Sequence, residues 1–417
     1  MKRHLYKFLI LFMAMAVLAS CKEENEPIPD TPNPNPVDEN PPSSSNALLI
    51  NDPTFKAATG FTSANAAVQP DGKIILDGYY AANGQTVIKI LRLNKNGSLD
   101  SSFDIDQDKS WIIKNISGIF ILADGKVLIC GEFTIKGQRA FLARLTTTEA
   151  LDNSYVQPNI GVPASVNFQR TASGKVLVST TEKTSSVYNY VAAKLFRLNS
   201  DGSLDNGFNV KNYDVPSTSD AFRSIVPLVN GKIIIAGIFS VGDDNMRRQD
   251  IARLNADGSV DFSFNFKEKF NYAASISRVT VQSDGKIVIS GAFTWITDPN
   301  IRDANYYYYG MARLNPDGDI DHSFNAPKAF TYSNYINDIT TLSDNRILAH
   351  WKSFTNNQAK SYIEFLGNNG GIDNSYVFQF QYSNINSILR EAPDQFLLLG
   401  EITVDNTVYP IIRLKKP

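Results

Sequence analysis

From about residue 47 to the C-terminus, apolar and polar positions alternate in short runs that recur on one scheme. A β-rich run leads to a turn of the form Asp-Gly-Lys, then to a second run ending near Gly-x-Phe. After a variable connection comes a third run ending Ala-Arg-Leu-Asn, a turn of the form Asp-Gly-Ser, and finally Leu-Asp-x-Ser-Phe. The scheme is complete in VQPDGKIILDGYY with LRLNKNGSLDSSF, and again in VQSDGKIVISGAF with ARLNPDGDIDHSF. The first turn falls at Asp71, Asp124, Ser173, Asn230, Asp284, Asp344 and, one residue shorter, near Asp394, which makes seven units. Each unit holds four β-branched and aromatic runs parted by Gly, Asp and Asn turns, with no helical periodicity. Each is therefore predicted to be a four-stranded antiparallel sheet.

A second landmark, an Asp followed three residues later by an aromatic ring, is displaced relative to the first. It occurs as Asp52/Phe55, Asp100/Phe103, Asp152/Tyr155, Asp205/Phe208, Asp261/Phe264, Asp321/Phe324 and Asp373/Tyr376. The first copy precedes the first Asp-Gly-Lys turn, and none follows the last IIRLKKP. The seventh unit thus lacks its final strand, and the fragment INDPTF (residues 50–55) at the start supplies one. The expected fold is all-β: a seven-bladed β-propeller of four-stranded antiparallel blades over residues 47–417, closed by an N-terminal strand that completes the last blade. An open stack of such sheets would instead expose two faces and need capping units.

The motifs QPDGKI and RLNxDGSLDxxF, with the intervening GxF, resemble the delta-60 type β-propeller repeat of bacterial surface and secreted proteins, a family with no assigned general activity. The resemblance covers about residues 46–417. Two units depart from it: TASGKVLVSTTEK loses the glycine of the second run, and SDNRILAHWKSF puts Trp351 where other units have Gly78, Gly131, Gly237, Gly291 or Gly400.

The N-terminus has a different pattern. Lys2, Arg3 and Lys7 precede an apolar run from Phe8 to Ala19, too short to span a bilayer and typical of a secretory signal over residues 1–20. The run ends in LASC, which resembles the lipobox of bacterial lipoproteins and implies lipidation of Cys21. KEENE (residues 22–26) is similar to the acidic export signal of Bacteroidota-type lipoproteins, which implies the outer membrane and the cell surface. Residues 22–46 hold seven of the 19 prolines and almost nothing apolar, so the lipidated cysteine and the segment to residue 46 are expected to form an extended disordered linker.

Signal removal takes three of the 40 basic residues and none of the 42 acids, leaving a net charge of 37 − 42 = −5. Such a chain does not attract nucleic acid, and its expected membrane contact is the lipid on Cys21. Cys130, the other cysteine, has no partner for an intramolecular disulfide once Cys21 is acylated. Arg92, Arg144, Arg197, Arg253, Arg313 and Arg413 recur in the third run, with Phe365 in that place in the sixth unit. Because an Asp stands in every unit, each Arg is expected to staple to it within its own blade rather than form a ring of cationic ligands. DIDQDKS (residues 104–110) and DGDID (317–321) alternate acids, but neither has the glycine and distant Glu of a calcium loop, so no metal or other cofactor is expected.

In an up-and-down blade the first and third connections share one face, and the second shares the other with the blade-to-blade crossings. The repetitive turns should crowd the first face and the variable loops the second. Aromatic rings concentrate in those loops, and Trp111, Tyr213, Tyr272, Trp295, Tyr306, Tyr307 and Tyr335 are the candidate ligand-binding residues. Only His322 and His350 remain after signal removal, and no nucleophile elbow, HExxH, Walker or dinucleotide motif is present. The expected function is a non-catalytic binding module for extracellular glycan or an outer-membrane protein partner, built as a monomeric domain. A propeller hydrolase or lyase using a carboxylate pair stays open as the competing reading, and a structural scaffold as a third.

Overall fold

In the computed structural model the chain divides into two units, Met1–Pro42 and Ser43–Pro417. The structure describes residues 47–415 of the second, apart from 83, 106–109, 161–164, 172, 184–190, 211, 216–220, 242–247, 267–274, 294–309, 327–333, 356–357, 375, 379–383, 393–394 and 405–406. The signal, Cys21 and the proline-rich segment lie outside the described residues, as do Tyr272, Trp295, Tyr306 and Tyr307.

Among the described residues every regular element is a strand. Seven three-stranded antiparallel modules follow one another, with first strands Ala66–Val68, Trp111–Ile121, Ser165–Arg170, Phe222–Pro227, Ser275–Val281, Asn334–Thr341 and Asn384–Ala392. A short extra strand, Asn212–Val215, joins modules three and four into one sheet. Where a fourth strand was expected, the chain makes a single bridge, such as Leu93↔Leu99 or Leu254↔Val260, and then turns away. The Asp of the second landmark ends the pairing. In module one Asp100 donates its N–H to the Arg92 carbonyl at 2.9 Å, while its carboxylate accepts the Ser102 N–H at 3.1 Å and its carbonyl the Phe103 N–H at 3.1 Å. This Asx turn reverses the chain after two residues.

The fragment at residues 50–55 reproduces that geometry across the two ends of the domain. Ile50 pairs antiparallel with Lys415 and Asn51 with Leu414. The Asp52 N–H donates to the Arg413 carbonyl at 2.8 Å, and the Phe55 N–H to the Asp52 carbonyl at 3.0 Å.

The second strands read as unbroken apolar runs because both faces of each sheet are covered. Ile75 faces a cluster containing Ile116 and Ile129 of module two, whereas its neighbours Ile74 and Leu76 face one containing Leu397, Leu399 and Ile411 of module seven. Alternation on a strand thus divides each module between two neighbours. The same arrangement recurs between modules two and three, three and four, four and five, five and six, and six and seven.

The Asp-Gly-Lys hairpins are held alike. In the first, the Gly72 N–H donates to the Gln69 carbonyl at 2.9 Å with Gly72 at φ 84°, the left-handed position this turn reserves for glycine. The connections opposite are more varied than the expected set of long loops. Modules one, two, six and seven close there with two residues, between Ala82 and Gln85, Ile135 and Gln138, Thr355 and Gln358, and Val404 and Thr407. Long connections between second and third strands are confined to modules three, four and five.

Asp52 is 4% exposed and accepts hydrogen bonds from Lys415 Nζ at 2.7 Å and Thr54 Oγ1 at 2.7 Å. Asp52→Asn is therefore expected to cost about 1–2 kcal/mol, read by urea unfolding. Hydrogen exchange should rise first at residues 50–55 and 411–415, where the chain ends pair.

Candidate functional site

Two sets of polar side chains stand out, one at the tight-turn end of the modules and one on their first strands. The first set is a repeated ion cluster. Arg92, Arg144, Arg197, Arg253 and Arg313 each donate from Nε to the Asp eight residues on, at 2.6–2.9 Å. The lysine of the Asp-Gly-Lys turn reaches the same carboxylate at 2.6–3.1 Å, from Lys73, Lys126, Lys175, Lys232 and Lys286. Each guanidinium lies over the ring three residues beyond its Asp, at 4.7–5.1 Å.

The arginines also cross to the next module, where Nη1 meets the Asp-Gly-Ser turn. Arg144 donates to Ser200 O, Arg197 to Ala256 O, Arg253 to Pro316 O and Arg313 to Asn368 O. Arg413 donates to Lys95 O of module one at 2.8 Å, and Arg92 pairs with Glu149. With these arginines and lysines held by carboxylates, turn carbonyls and rings of the fold, this set is structural. The expected in-blade pairing changes at Arg413, which takes Glu391 through two oxygens, each at 2.7 Å, and leaves Asp52 at 3.9 Å to Lys415. Asp373 pairs instead with Arg346, at 3.3 Å.

The second set lines a cavity of about 640 Å³ on which the first strands of modules two to six converge. A β-bulge builds its wall. The pairing of first and second strands skips one residue at Ser117, Arg223, Ser277 and Asn337, and again at Asn386 in module seven. Four of these extra residues line the cavity, together with Asn167, Gln169 and Arg278. A bulge leaves its residue outside the ladder and re-aims its side chain.

The bulge also accounts for the glycine of the second strand. A Cβ on Gly131, Gly237 or Gly400 would lie 2.2, 2.1 and 2.1 Å from the carbonyl oxygens of Asn115, Ala221 and Asn384, just ahead of each bulge. In module three the register is continuous, and Thr180 occupies the equivalent position opposite Val166. Module six keeps its bulge opposite Trp351, which is 5% exposed and stacks on Tyr362 at 4.2 Å.

Polar links tie neighbouring modules at or just before their first strands. Asn65 Nδ2 donates to Ile116 O at 3.2 Å, Asn167 Nδ2 to Phe222 O at 3.4 Å, and Asn386 Nδ2 to Ser63 O at 3.1 Å. Arg223 Nη1 lies 3.5 Å from Ser277 Oγ, while Arg278 Nη1 donates to Ser277 O at 3.0 Å and its Nε faces Asp338 at 3.4 Å. Burial pushes the Asp338 carboxyl above its usual range, and Arg278 offsets part of that rise. His350 is wholly buried behind the wall with Nδ1 3.2 Å from Asn337 Nδ2; burial and then Lys352 lower its pKa to about 3, so it is neutral at pH 7.

The aromatic candidates do not assemble into one site among the described residues. Tyr213 is a correction: its segment pairs as the strand Asn212–Val215 and turns the ring inward. There it is 1% exposed and edge-on to Phe222 at 4.8 Å and Phe239 at 5.7 Å. Trp111 begins a first strand, is half-buried, and packs against Phe133 at 5.9 Å. Tyr335 lies in the first strand of module six, opposite Lys352. In DGDID, Asp317 accepts the Asp319 N–H at 3.2 Å and Asp321 belongs to the ion cluster; DIDQDKS lies largely outside the described residues. Neither the lysines of the ion cluster nor the cavity lining was among the residues singled out from sequence. The lysines carried a signal, recurring after the turn glycine in five units, whereas Arg223 and Arg278 belong to no repeat.

Five segments, residues 69–103, 122–155, 172–208, 230–264 and 282–324, match the model of the domain of unknown function (DUF5122) beta-propeller. The chain therefore carries a β-propeller domain of unknown function across those five repeats. No curated protein matches it. Among solved structures it is similar to prolyl oligopeptidase B from Galerina marginata, with 13% identity and a TM-score of 0.45, over 84% of this chain and 48% of that one. The chain thus spans about half the length of that protein. It is also similar to the calcium-binding protein regucalcin from Agrobacterium tumefaciens, with 10% identity, a TM-score of 0.38, and 88% and 94% of the two chains covered. A third is the polysaccharide lyase Uly1, at 11% identity, TM-score 0.40, and 85% and 90% coverage.

Proposed function

We propose that this chain is a lipid-anchored outer-membrane protein whose delta-60 type repeats form a closed seven-bladed propeller, and that the propeller is a non-catalytic binding module for extracellular glycan. The pairing of Ile50 with Lys415 and the cluster joining Phe55, Ile74 and Leu76 to Leu397 and Ile411 support closure of the ring through its N-terminal strand. In this reading Cys21 carries the lipid, and the proline-rich segment is a spacer reaching up to roughly 75 Å from the anchor, at ~3.1 Å per residue.

The cavity on the first strands carries the binding assignment. Its size is that of a small-ligand site, and its hydroxyls, amides and guanidiniums match the hydrogen-bonding demands of a sugar. The backbone bulges fix those groups before a ligand arrives, which keeps the ordering cost of binding low.

Titration of the full chain in detergent with soluble glycan fragments tests this. Binding is expected, weakened about threefold or more by Gln169→Ala, with no new reducing ends after prolonged incubation. Release of sugar would replace the binding module with an enzyme, and the absence of binding across neutral and acidic fragments would remove the glycan assignment. External protease on intact cells should cut within residues 22–46, and protection there overturns the surface address.

A further inference from the structure

Two arginines line the cavity. Arg223 comes from the bulge of module four and Arg278 follows the bulge of module five, and both converge on Ser277, one within 3.5 Å of its hydroxyl and the other donating to its carbonyl at 3.0 Å. Among the described residues lining the cavity, these two are the only charged ones. Asp338 stands beside Arg278 at 3.4 Å and orients its guanidinium. An anion that reaches both guanidiniums would accept charge-assisted hydrogen bonds from each. Ser117, Asn167, Ser277 and Asn337 surround the pair with uncharged groups that suit ring hydroxyls.

We infer that Arg223 and Arg278 make this cavity an oxyanion site, and that its ligand is an acidic glycan whose carboxylate or sulfate ester sits between the two guanidiniums. The inference rests on the binding reading above and narrows it to a ligand class. Both arginines are placed by first-strand backbone that the bulges hold in register, so the site is preformed rather than assembled by a loop.

The test begins with inorganic sulfate, titrated into the full chain in detergent, and continues with a uronate-bearing oligosaccharide and the same oligosaccharide as its methyl ester. Sulfate should bind, weakening as salt rises. The uronate should bind at least tenfold tighter than its ester, and Arg223→Gln and Arg278→Gln should each lower uronate affinity about tenfold or more. Arg139→Gln, at a side chain 39% exposed that pairs with Glu132, is the control and should change nothing. Sulfate should also displace bound uronate, and sulfate that binds without displacing it would count against one shared oxyanion site at the two arginines.

Equal binding of acid and ester, or folded glutamine variants that bind the acid as the parent does, overturns the inference while leaving a neutral-glycan module standing. Failure of sulfate and of both oligosaccharides overturns the inference and the cavity assignment together. Should either glutamine variant lose its thermal transition, Ser277→Ala takes its place, with about a threefold loss of uronate affinity expected, and unchanged affinity counting against the site.

Discussion

Gly237→Ala is expected to destabilise the domain by about 3 kcal/mol, and Gly400→Ala by a similar amount. The new methyl carbon at Gly237 would lie 2.1 Å from the Ala221 carbonyl oxygen and 2.9 Å from the Arg223 nitrogen. Neither is the end of a flexible side chain. The Ala221 carbonyl already accepts the Ile238 N–H at 3.0 Å, so relieving the overlap pulls that hydrogen bond apart and flattens the bulge. The matched control is Thr180→Val in module three. Its position is equivalent, but no bulge faces it, and its buried Oγ1 makes no hydrogen bond, so the change should be neutral or slightly stabilising. Thermal unfolding of the three variants would decide. A fall of only a degree or two for Gly237→Ala would mean that the bulge is soft, and the placement of Arg223 would lose its support.

Lowering the pH from 7 to 3 is expected to remove on the order of 5–10 kcal/mol of stability. The carboxylates of the ion clusters drive this loss. The Lys175 ammonium, partly opposed by burial and helped by Arg197, holds Asp205 at about 2 instead of its ordinary 3.8. The Ser102 and Ser154 hydroxyls, again against burial, lead the lowering of Asp100 and Asp152, with Lys73 and Lys126 adding to it. Burial is the largest single influence on Asp261 and Asp321 and pushes them up, but hydrogen bonds led by Lys232 and Lys286 outweigh it.

A carboxyl with a depressed folded-state pKa binds fewer protons folded than unfolded, so its contribution is whole above about pH 5 and drains away as pH falls toward 2. For Asp205 alone this is about 2 kcal/mol at neutral pH. Urea unfolding at pH 7, 5, 4 and 3 measures the total. A flat stability from pH 5 to 3 would contradict the assigned geometry.

The sequence and the structure agree most closely where a residue's partner is close along the chain. Arg92 and Asp100 are eight apart along the chain, so their recurrence by itself implies the contact that the structure shows. The displaced copy at Asp52 likewise implies a contact between residues 50–55 and the last strand, and the Asp52 N–H bonds to the Arg413 carbonyl. Legibility fails where the constraint comes from outside the repeat. The glycine of the second strand is visible only as a landmark, because the carbonyl that excludes a side chain lies at the start of the first strand, 16 residues upstream for Ala221 and Gly237. Tyr213 departs from expectation for a similar reason. A tyrosine in an irregular connection looks exposed until a four-residue strand recruits it into the core with Phe222 and Phe239. The cavity was hidden for the same cause, since its wall is assembled from five strands whose facing residues do not repeat.

Phe365 sets one seam of the molecule apart from the rest. Where other modules send a guanidinium across to the next turn, Phe365 is 2% exposed and meets Phe396 of module seven edge-on at 5.8 Å. Ionic straps slacken in strong salt and acid, whereas an aromatic joint is indifferent to both and weakens as water is chilled. The domain therefore has no single weakest point: brine or vinegar should loosen it at the arginines, and ice between its sixth and seventh modules.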